Sequence, residues 1–472
     1  MREAKLFVGG EWLSGAGRVE VLDKFTLAPA GFAHAADKAL VDRAVAAGRA
    51  AFLGGALSIP ERHDILMRAQ AILLRRKDEI VETMVAETGF TRADNEGDFA
   101  RTALTLNISA EEAMRITGEM VPIEASPGHE TELAFSLRVP LGVVACITPF
   151  NSPLNTVAHK IAPALAAGNA VVLKPASYTP FSAALLVEVF EEAGLPAGWL
   201  NLVHGPGGAT GAVLCANPDV AYFAFTGGGT AGAAIQAAAG MRRTQMELGN
   251  ISATIVCEDA DLDQVAVKAA TGAFKKAGQV CTSLQRLYVH EDVFDALSDR
   301  LVARARAMRT GDPRDPATQV GPMISEGDAM RVERLIGAAR EAGARVLTGG
   351  GRQRALLEPT VLDRVEPGMG VHDQELFAPV VCLLPYNDFD AAIDAVNATP
   401  YGLAAGIFTR DMIRAFHAAR KVEVGVFNIN NTSSNRVDPM PYGGIKASGW
   451  GKEGPRAAIR DMTDEKLITI RI

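Results

Sequence analysis

The amino-acid sequence predicts an α/β protein, and two stretches of the chain carry that prediction. Between residues 143 and 225, short apolar runs alternate with helical segments, and Gly or Pro marks the loop after each run. The strands of this first series are predicted at 143–147, 170–173, 200–203 and 220–225. A second series begins with a strand at 253–257 and continues near 286–290, 345–347, 380–385 and 405–408. Because strands that alternate with helices form parallel sheets, we expect two α/β units in succession.

The residues before this alternation predict short strands followed by three helices. Residues 5–30 have the pattern of short strands joined by turns. An amphipathic helix is predicted at 37–53, and Ser58-Ile-Pro-Glu61 is a capping box with proline just inside the start of the next helix. A third helical segment covers 94–116.

Strands are also predicted near residue 130 and at the end of the chain. The segments 121–126 and 133–139 flank a Pro-Gly turn and are expected to pair as a hairpin. The final segment, 466–472, is a β-branched strand. It could pair with the hairpin or with another subunit.

Composition limits the classes of function. The 472 residues are enough for two or three domains, and 48% hydrophobic with 22% charged residues is ordinary for a globular protein. A net charge of -8 without a Lys/Arg run argues against nucleic acid or an anionic membrane as the main partner. The N-terminus lacks the apolar core of a signal peptide, and no apolar run reaches membrane-spanning length. We therefore expect a cytoplasmic protein.

The cysteines and histidines predict neither disulfides nor a metal site. The five cysteines lie far apart and form no CxxC pair, which is typical of a protein in a reducing compartment. The eight histidines include no HExxH or comparable ligand pair. We expect no bound metal.

The stretch 246–283 holds the best candidates for catalytic residues. Glu247 lies in Met-Glu-Leu-Gly-Asn and Cys281 in Gly-Gln-Val-Cys-Thr-Ser, with a predicted strand and helix between them. Both positions are in Gly-containing loops, where a side chain can face a cavity. A thiol and a carboxylate placed there can serve as nucleophile and base. An isolated Cys is more often a small buried hydrophobe, and an isolated Glu a solvated charge.

Three loops that follow predicted strands have the composition of ligand-binding loops. The segment 227–232 is rich in Gly and opens a helix, whose free N–H groups suit a pyrophosphate, although its spacing is not GxGxxG and such glycines also serve turns. Lys174 follows the strand 170–173, at the edge where open α/β sheets bind ligands. Asn151, in Pro-Phe-Asn-Ser-Pro, could donate to an oxyanion or simply form a turn.

Together and in this order, seven motifs resemble the aldehyde dehydrogenase superfamily along essentially the whole chain. They are Pro149-Phe-Asn151, Lys174-Pro-Ala-Ser, Phe225-Thr-Gly-Gly, Glu247-Leu-Gly, Gly278-Gln-Val-Cys281, Gln374-Glu375-Leu-Phe377-Ala-Pro379 and Pro441-Tyr-Gly-Gly-Ile-Lys446-Ala-Ser-Gly449. The text around them looks most like the branches that oxidise lactaldehyde, phosphonoacetaldehyde and, without phosphorylation, glyceraldehyde-3-phosphate.

The resemblance implies a Rossmann-like cofactor domain, a related α/β catalytic domain and a β-hairpin oligomerisation arm. It places the cofactor domain at 1–121 and 141–247 and the catalytic domain at 248–445. The arm would consist of 122–140 and 458–472. Through that arm, subunits would assemble into a homodimer or a homotetramer.

The resemblance also implies the reaction, which is oxidation of an aldehyde to its carboxylic acid with NAD(P)+. Cys281 would attack the aldehyde, Asn151 and the Cys281 backbone N–H would hold the oxyanion, and Glu247 would activate the water that hydrolyses the thioester. One alternative is an acylating member that uses coenzyme A, but those branches generally lack the acid at position 247. A non-enzymatic structural member would have no need to keep thiol, acid and amide together.

The expected cofactor is NAD or NADP. The family positions that contact it correspond here to Thr148, Pro149, Phe150, Lys174, Ser177, Gly207, Gly211, Thr226, Gly227, Gly228, Leu248, Glu375 and Phe377. Lys174 matches the contact with the adenosine ribose and Glu375 the contact with the nicotinamide ribose. Members that prefer NAD often carry Glu at the position of Ser177. Without an acidic group to repel a 2′-phosphate, the sequence permits NADP without excluding NAD.

Four residues are predicted to face the substrate: His159, Thr282, Arg436 and Tyr442. In many relatives the positions of His159 and Arg436 are aromatic. Here they would suit a small polar or anionic aldehyde through charge-assisted hydrogen bonds. Alternatively, His159 is satisfied within its helix and Arg436 pairs with a neighbouring carboxylate in an exposed loop. The protein would then be a general dehydrogenase of neutral alkyl or aryl aldehydes.

Overall fold

Two large sheets organise the computed structural model, which describes residues 2–472. The strands are β1 (Arg2–Ala4), β2 (Leu6–Val8), β3 (Glu11–Leu13), β4 (Gly17–Leu22), β5 (Pro29–Ala35), β6 (Met120–Val121), β7 (Glu132–Pro140), β8 (Val143–Ile147), β9 (Ala170–Lys174), β10 (Leu200–Leu202), β11 (Val220–Thr226), β12 (Arg243–Glu247), β13 (Ser252–Val256), β14 (Leu284–His290), β15 (Arg345–Thr348), β16 (Arg352–Gln353), β17 (Leu356–Leu357), β18 (Thr360–Asp363), β19 (Val380–Tyr386), β20 (Ala404–Phe408), β21 (Val426–Ile429), β22 (Gly449–Trp450) and β23 (Thr463–Arg471). The helices are α1 (Lys38–Leu53), α2 (Ile59–Arg75), α3 (Lys77–Thr88), α4 (Arg92–Ala113), α5 (Asn155–Ala167), α6 (Pro180–Glu192), α7 (Gly207–Ala216), α8 (Gly229–Ala239), α9 (Leu262–Phe274), α10 (Glu291–Ala307), α11 (Glu326–Glu341), α12 (Gly370–Asp373), α13 (Phe389–Asn397), α14 (Met412–Lys421) and α15 (Pro455–Asp461).

The first sheet has the strand order β22-β12-β11-β8-β9-β10-β2-β3. Its five central strands, β12 to β10 in that order, are parallel and largely buried, and four of them are the strands predicted in the first series. The fifth, β12, has the polar sequence Arg-Thr-Gln-Met-Glu and was not predicted, so Glu247, expected in a loop, ends a strand. The register pairs Ile147 with both Phe225 and Lys174, and Thr226 with Glu247. The carboxyl ends of four neighbouring strands therefore lie at one edge of the sheet, where ligands of open α/β sheets bind.

The second sheet has the order β15-β18-β19-β14-β13-β20-β21, and all of its strands except β15 are parallel. Its strand β13 begins at Ser252, only five residues after β12 of the first sheet ends at Glu247. Each sheet is packed in a large apolar core. The predicted fold class, two α/β units with a β arm, is confirmed.

The third sheet is small and joins distant parts of the chain. Its order is β23-β7-β6, and β23 runs antiparallel to β7 over nine residue pairs. The predicted strand at 121–126 is wrong beyond Val121, because 123–125 form a 3-10 helix. Pro122 has no N–H to donate to a neighbouring strand, so the ladder stops there. The division into domains stays a prediction.

Local sequence signals at the helix ends are mostly confirmed. Asp37 caps α1, and the capping box of Ser58 and Glu61 starts α2 with both reciprocal hydrogen bonds. Helix α9 ends at Phe274, because Lys276 and Ala277 adopt left-handed backbone angles. Such angles cost about 1–2 kcal/mol per residue for L-amino acids, so the surrounding contacts must hold this turn in place. Within residues 2–472, none of the helices has the length and apolar character needed to cross a bilayer.

Candidate active site

A cavity of about 850 Å³ opens at the carboxyl edge of the first sheet. Thr148, Lys174, Thr226 and Glu247, which end or follow strands of that sheet, line it. Cys281, in the turn that leads into β14, lines it as well. The structure thus brings the two predicted catalytic side chains to one cavity from opposite ends of the segment that contains β13 and α9.

Cys281 and Glu247 share a hydrogen-bonding neighbour. The Cys281 Sγ lies 2.9 Å from the hydroxyl of Tyr442, and that hydroxyl donates to Glu247 Oε1 at 3.3 Å. Glu247 is 2% exposed and Tyr442 is 1% exposed, so water competes little for these bonds. Tyr442 touches the thiol but does not itself line the cavity.

The surroundings of Cys281 and Glu247 raise the pKa of both groups. Burial and the nearby carboxylate of Glu453 raise the pKa of Glu247 to about 7. Burial and the charge of Glu247 raise the pKa of the Cys281 thiol, whereas Arg436 lowers it. A carboxyl group with a pKa near neutral can accept and release protons at physiological pH, as a general base must.

Asn151 presents hydrogen-bond donors to the same cavity. Its side-chain amide has no hydrogen-bond partner within residues 2–472 and lines the cavity. The backbone N–H of Cys281 is likewise without a partner in that range. These two donors can therefore stabilise a negatively charged oxygen beside the thiol.

A buried ion pair fixes the position of Asn151. The Nζ of Lys276 donates to the backbone oxygen of Asn151 at 2.9 Å and to Asp98 Oδ1 at 3.1 Å. Asp98 also accepts from the hydroxyl of Ser152 and from the backbone N–H of Asn155. Burial opposes ionisation of Asp98, but the charge of Lys276 keeps its pKa below the ordinary value. The left-handed turn after α9 is what places this ammonium group beneath the loop.

A second buried charge cluster lies behind Glu247. Glu453, 1% exposed, accepts from Lys160 at 3.0 Å, from Arg436 at 2.7 Å and from the hydroxyl of Thr226 at 2.7 Å. Two cations thus surround one carboxylate. Burial raises the pKa of Glu453, but the positive charges of Lys160 and Arg436 outweigh that effect and hold the pKa far below its usual range. The cluster carries one excess positive charge next to the thiol.

Comparison of the sequence with models of known families identifies the family of this chain. Residues 12–468 match the sequence model described as "Aldehyde dehydrogenase family". The chain belongs to the aldehyde dehydrogenase family. The 3-sulfolactaldehyde dehydrogenase of Priestia megaterium (strain ATCC 12872 / QMB1551) is 46% identical over 472 residues, which cover 100% of this chain and 99% of that protein.

Solved structures agree with that assignment. Aldehyde dehydrogenase 21 from Physcomitrella patens, in complex with the reaction product succinate, has a TM-score of 0.97 and 36% identity, covering 100% of this chain and 98% of that one. The NADP-dependent glyceraldehyde-3-phosphate dehydrogenase from Bacillus halodurans C-125, complexed with NADP, has a TM-score of 0.97 and 34% identity, covering 100% of both chains. This aldehyde dehydrogenase accordingly oxidises an aldehyde, with NAD or NADP as hydride acceptor.

Most residues predicted to contact the dinucleotide line the cavity of this aldehyde dehydrogenase. They are Thr148, Pro149, Phe150, Lys174, Ser177, Gly207, Thr226, Gly227, Gly228, Leu248, Glu375 and Phe377. Gly211 does not line it, because it lies under the aliphatic part of Lys174, where an added Cβ would meet Cδ and Cε at 4.0 Å. The hydroxyl of Thr226 is used by Glu453, and that of Ser177 donates to the backbone oxygen of Gly205 at 2.9 Å.

Unsatisfied polar groups in this part of the aldehyde dehydrogenase fit a dinucleotide. Lys174 is 3% exposed, and its ammonium group touches only the backbone oxygen of Pro175 at 3.3 Å. Burial lowers the pKa of this group to about 8. The buried hydroxyl oxygen of Thr148 has no partner within residues 2–472. An added Cβ at Gly207 or Gly228 would meet only open space. Ribose hydroxyls and a pyrophosphate would satisfy these donors and occupy that space.

Glu375 and Phe377 approach the cavity from the second sheet. Glu375 accepts from the backbone N–H of Asn250 at 2.9 Å, and burial raises its pKa to about 7. Phe377 has a left-handed φ of 51° and packs edge-on against Phe150, with ring centroids 5.8 Å apart. Both residues lie in the loop before β19 and line the cavity.

The four predicted substrate residues have different outcomes. Arg436 and Thr282 line the cavity, and Arg436 is buried against Glu453 with its guanidinium 3.8 Å from the centre of the Tyr442 ring. His159 does not line it. Its Nε2 contacts Asp438 at 2.9 Å and Thr105 at 3.3 Å, and burial lowers its pKa. The direct contact expected of His159 is not seen: the residue is 1% exposed, its Nε2 is taken by Asp438 and Thr105, and its Nδ1 has no partner within residues 2–472.

Sequence reasoning missed the acidic partners of these groups. Asp438 binds Arg101 with both oxygens and also accepts from Asn155 and His159. Burial is overcome by His159 and Arg101, which hold the pKa of Asp438 well below its usual value. Arg101 and Asp438 are 337 positions apart, so no local motif could pair them. Asp438 stands three residues before the motif that begins at Pro441, and that position was the only signal for it in the sequence.

Proposed function

We propose that this aldehyde dehydrogenase oxidises a small anionic aldehyde to its acid. In this proposal Cys281 is the nucleophile, Asn151 and the Cys281 N–H hold the oxyanion, and Glu247 is the base for hydrolysis. The separation of thiol, carboxyl and amide around one cavity supports these roles. The anionic substrate class is supported by the guanidinium groups of Arg101 and Arg436, which line that cavity.

The steps follow from the chemistry of these side chains. The thiolate of Cys281 bonds to the carbonyl carbon, and the negative oxygen accepts hydrogen bonds from Asn151 and the Cys281 N–H. Lys174 and Glu375 would hold the dinucleotide, which when bound would accept the hydride from the C–H bond of the adduct and so leave a thioester on Cys281. Glu247 then removes a proton from water as it attacks the thioester, and the tetrahedral adduct expels the Cys281 thiolate with release of the acid.

The charge of the cavity carries the proposal about the substrate. Six basic side chains line it against four carboxyl groups: Arg101, Lys174, Lys268, Lys275, Lys276 and Arg436 against Asp94, Asp98, Glu247 and Glu375. Arg436 is the basic group that acts on the thiol, and its partner Glu453 is already shared with Lys160. Asp438 and Glu453 pair with Arg101 and Arg436 from behind the cavity, but the buried Nε of Arg436 has no partner within residues 2–472. A sulfonate, carboxylate or phosphate on the aldehyde could accept a charge-assisted hydrogen bond from this guanidinium group.

The relatives support the same class of substrate. The Priestia megaterium protein is named for 3-sulfolactaldehyde, and the Physcomitrella patens structure holds succinate, which has a carboxylate beyond the reacting carbon. We therefore propose 3-sulfolactaldehyde as the first substrate to test. Its oxidation would give 3-sulfolactate.

Matched pairs of aldehydes test the proposal directly. NAD(P)H formation is measured with 3-sulfolactaldehyde against lactaldehyde, succinic semialdehyde against butanal, and glyceraldehyde-3-phosphate against glyceraldehyde, each with NAD and with NADP. We expect the anionic member to have a kcat/KM at least about tenfold higher, equivalent to about 1.4 kcal/mol. Equal values within every pair would refute the anionic class. Coenzyme A should leave the rate and the free-acid product unchanged.

Two variants locate the charge responsible. Arg436→Met and Arg101→Met should each reduce the preference for the anionic member, mainly through KM. Arg300→Met is the matched control, because Arg300 pairs with Asp263 on the exposed face of α10. If all three variants keep the wild-type preference, the selectivity does not come from these guanidinium groups.

We further propose the domain division and assembly that the sequence predicts. The cofactor domain is 1–121 with 141–247, the catalytic domain is 248–445, and the arm is 122–140 with 458–472. Edge strand β23 pairs on one side only and exposes Leu467 and Ile470, which supports a homodimer or homotetramer formed through the arm. Light scattering on the purified protein tests the mass. We propose a cytoplasmic location without nucleic acid or membrane partners, which fractionation of the source cells tests.

A further inference from the structure

The hydroxyl of Tyr442 lies between the two groups that must exchange a proton. It is 2.9 Å from Cys281 Sγ and 3.3 Å from Glu247 Oε1. A tyrosine hydroxyl has one proton to donate and lone pairs to accept. It can therefore accept from the thiol while it donates to the carboxylate.

The surroundings hold this hydroxyl in place. The backbone of Tyr442 is bridged to Glu453 by two hydrogen bonds of 2.9 and 2.6 Å. Its ring packs with Leu403, Ala404 and Val426 and against the guanidinium of Arg436 at 3.8 Å. These contacts involve the ring and the backbone. A phenylalanine could make all of them, so packing alone does not explain the hydroxyl.

We propose that the Tyr442 hydroxyl relays the proton of the Cys281 thiol to Glu247 and then donates a hydrogen bond to the thiolate. In the forward step the S–H bond breaks as the sulfur proton moves to the tyrosine oxygen, and the tyrosine O–H proton moves to Glu247. Tyrosine stays neutral, the thiol becomes a thiolate and the carboxylate becomes a carboxylic acid, which must release this proton to solvent before Glu247 can take one from water. The inference rests on the proposed roles of Cys281 and Glu247 and deepens them.

The charges around the hydroxyl favour a concerted transfer. Burial and the negative charges of Cys281 and Glu247 raise the pKa of Tyr442 well above its usual value, so a free tyrosinate is disfavoured. Arg436 acts in the other direction on all three groups, and Glu453 and Lys160 complete the set of charges that face them. With a thiol and a carboxyl so close, their titration belongs to the coupled pair.

Alkylation of the thiol measures the role of the hydroxyl without any aldehyde. The rate of iodoacetamide reaction at Cys281 is followed from pH 5 to 10 in the wild type and in Tyr442→Phe. Losing one hydrogen bond to the thiolate should raise the apparent pKa by about one unit and slow the reaction at pH 7 about tenfold. The other four cysteines are buried, and Cys281→Ala identifies any background labelling.

Tyr386→Phe is the matched control. The hydroxyl of Tyr386 is also buried and donates to the backbone oxygen of Val256 at 3.2 Å, away from the cavity. Its removal should leave the alkylation profile unchanged. In Tyr442→Phe the burst of NAD(P)H at pH 7 should slow in the same proportion as alkylation, with KM for the aldehyde unchanged.

A second substitution acts in the opposite direction. Placing 3-fluorotyrosine at position 442 makes the hydroxyl a stronger donor and should lower the apparent pKa of the thiol, whether or not the phenylalanine variant folds. Unchanged alkylation profiles in the variants would overturn the relay and leave direct transfer to Glu247. Failure on anionic aldehydes would refute the proposed substrate without affecting this result, because alkylation needs no substrate.

Discussion

The two halves of the cavity are constructed in opposite ways. In the dinucleotide half, Lys174 and Thr148 are buried with donors that the protein does not satisfy. In the thiol half, buried charges are paired within the protein, as Lys276 is with Asp98 and Arg436 with Glu453. A ligand that stays bound through the reaction can satisfy the donors of its own site. A small substrate cannot organise its surroundings, so the groups that act on it must be positioned beforehand.

Removing the thiol should have the largest effect and should distinguish the two halves of the cavity most clearly. Cys281→Ala deletes the atom that bonds to the substrate, and we expect turnover to fall on the order of 10⁴-fold or more. Binding of the dinucleotide, measured by protein fluorescence, should keep its wild-type affinity because Cys281 belongs to the other half. A parallel loss of dinucleotide affinity would show that the halves are not independent.

Replacing Glu247 should separate the two stages of the reaction. In Glu247→Gln the burst of NAD(P)H should remain visible while steady-state turnover falls about 10²–10³-fold, the range of a lost general base. Because the pKa of Glu247 is about 7, wild-type deacylation should rise with pH through that value as the carboxyl loses its proton. Stopped-flow absorbance measures both stages. Equal loss of burst and steady state would show that Glu247 acts on the thiol and not on the hydrolytic water.

The paired charges of the thiol half can be tested at Lys276. In Lys276→Met, Asp98 is left buried without its cation, which should cost about 3–5 kcal/mol of stability. The turn carrying Asn151 also loses its support, so kcat should fall while KM for the dinucleotide changes little. Calorimetry and steady-state kinetics measure these effects. Asp98→Asn combined with Lys276→Met should recover part of the stability, and a double variant no better than the single one would contradict the pairing.

The smallest effect is expected in the dinucleotide half. Lys174→Met removes one charged donor, and hydrogen bonds to charged groups contribute about 1.5–3 kcal/mol, so KM for the dinucleotide should rise about tenfold or more. The stability of the protein should not fall, because a buried ammonium without an acidic partner is lost. Thermal melting without cofactor checks this point. A marked drop in melting temperature would mean that Lys174 serves the fold.

The same contrast explains what the sequence could predict. Strands β8 to β11 and the loops that follow them come from short local patterns, so Lys174 was expected at the edge of the sheet where it lies. Strand β12, which ends at Glu247, has a polar sequence and was not predicted. Order along the chain made the family resemblance specific. The arm was foreseen from its hairpin and last strand, although Pro122 ends the first strand sooner than expected.

The pairing of charges in the thiol half could not be predicted. Asp98 contacts Lys276 across 178 positions and Lys160 contacts Glu453 across 293, and a single sequence contains no signal for such distances. His159 was assigned from a position that is aromatic in many relatives, and that resemblance does not show that Asp438 takes up its Nε2. The left-handed turn at Lys276 is hidden as well, because neither Lys276 nor Ala277 is a residue type that favours such angles.

Strand β22 is synthesised late, and this timing affects when the site can form on the ribosome. It pairs with β12 at Glu247, and the residues on either side of it supply Tyr442 and Glu453. A growing chain on the ribosome therefore carries the thiol and the acid long before it contains their final neighbours. The site is completed only when the last segment has emerged, so a partly synthesised chain does not yet have the finished catalytic centre.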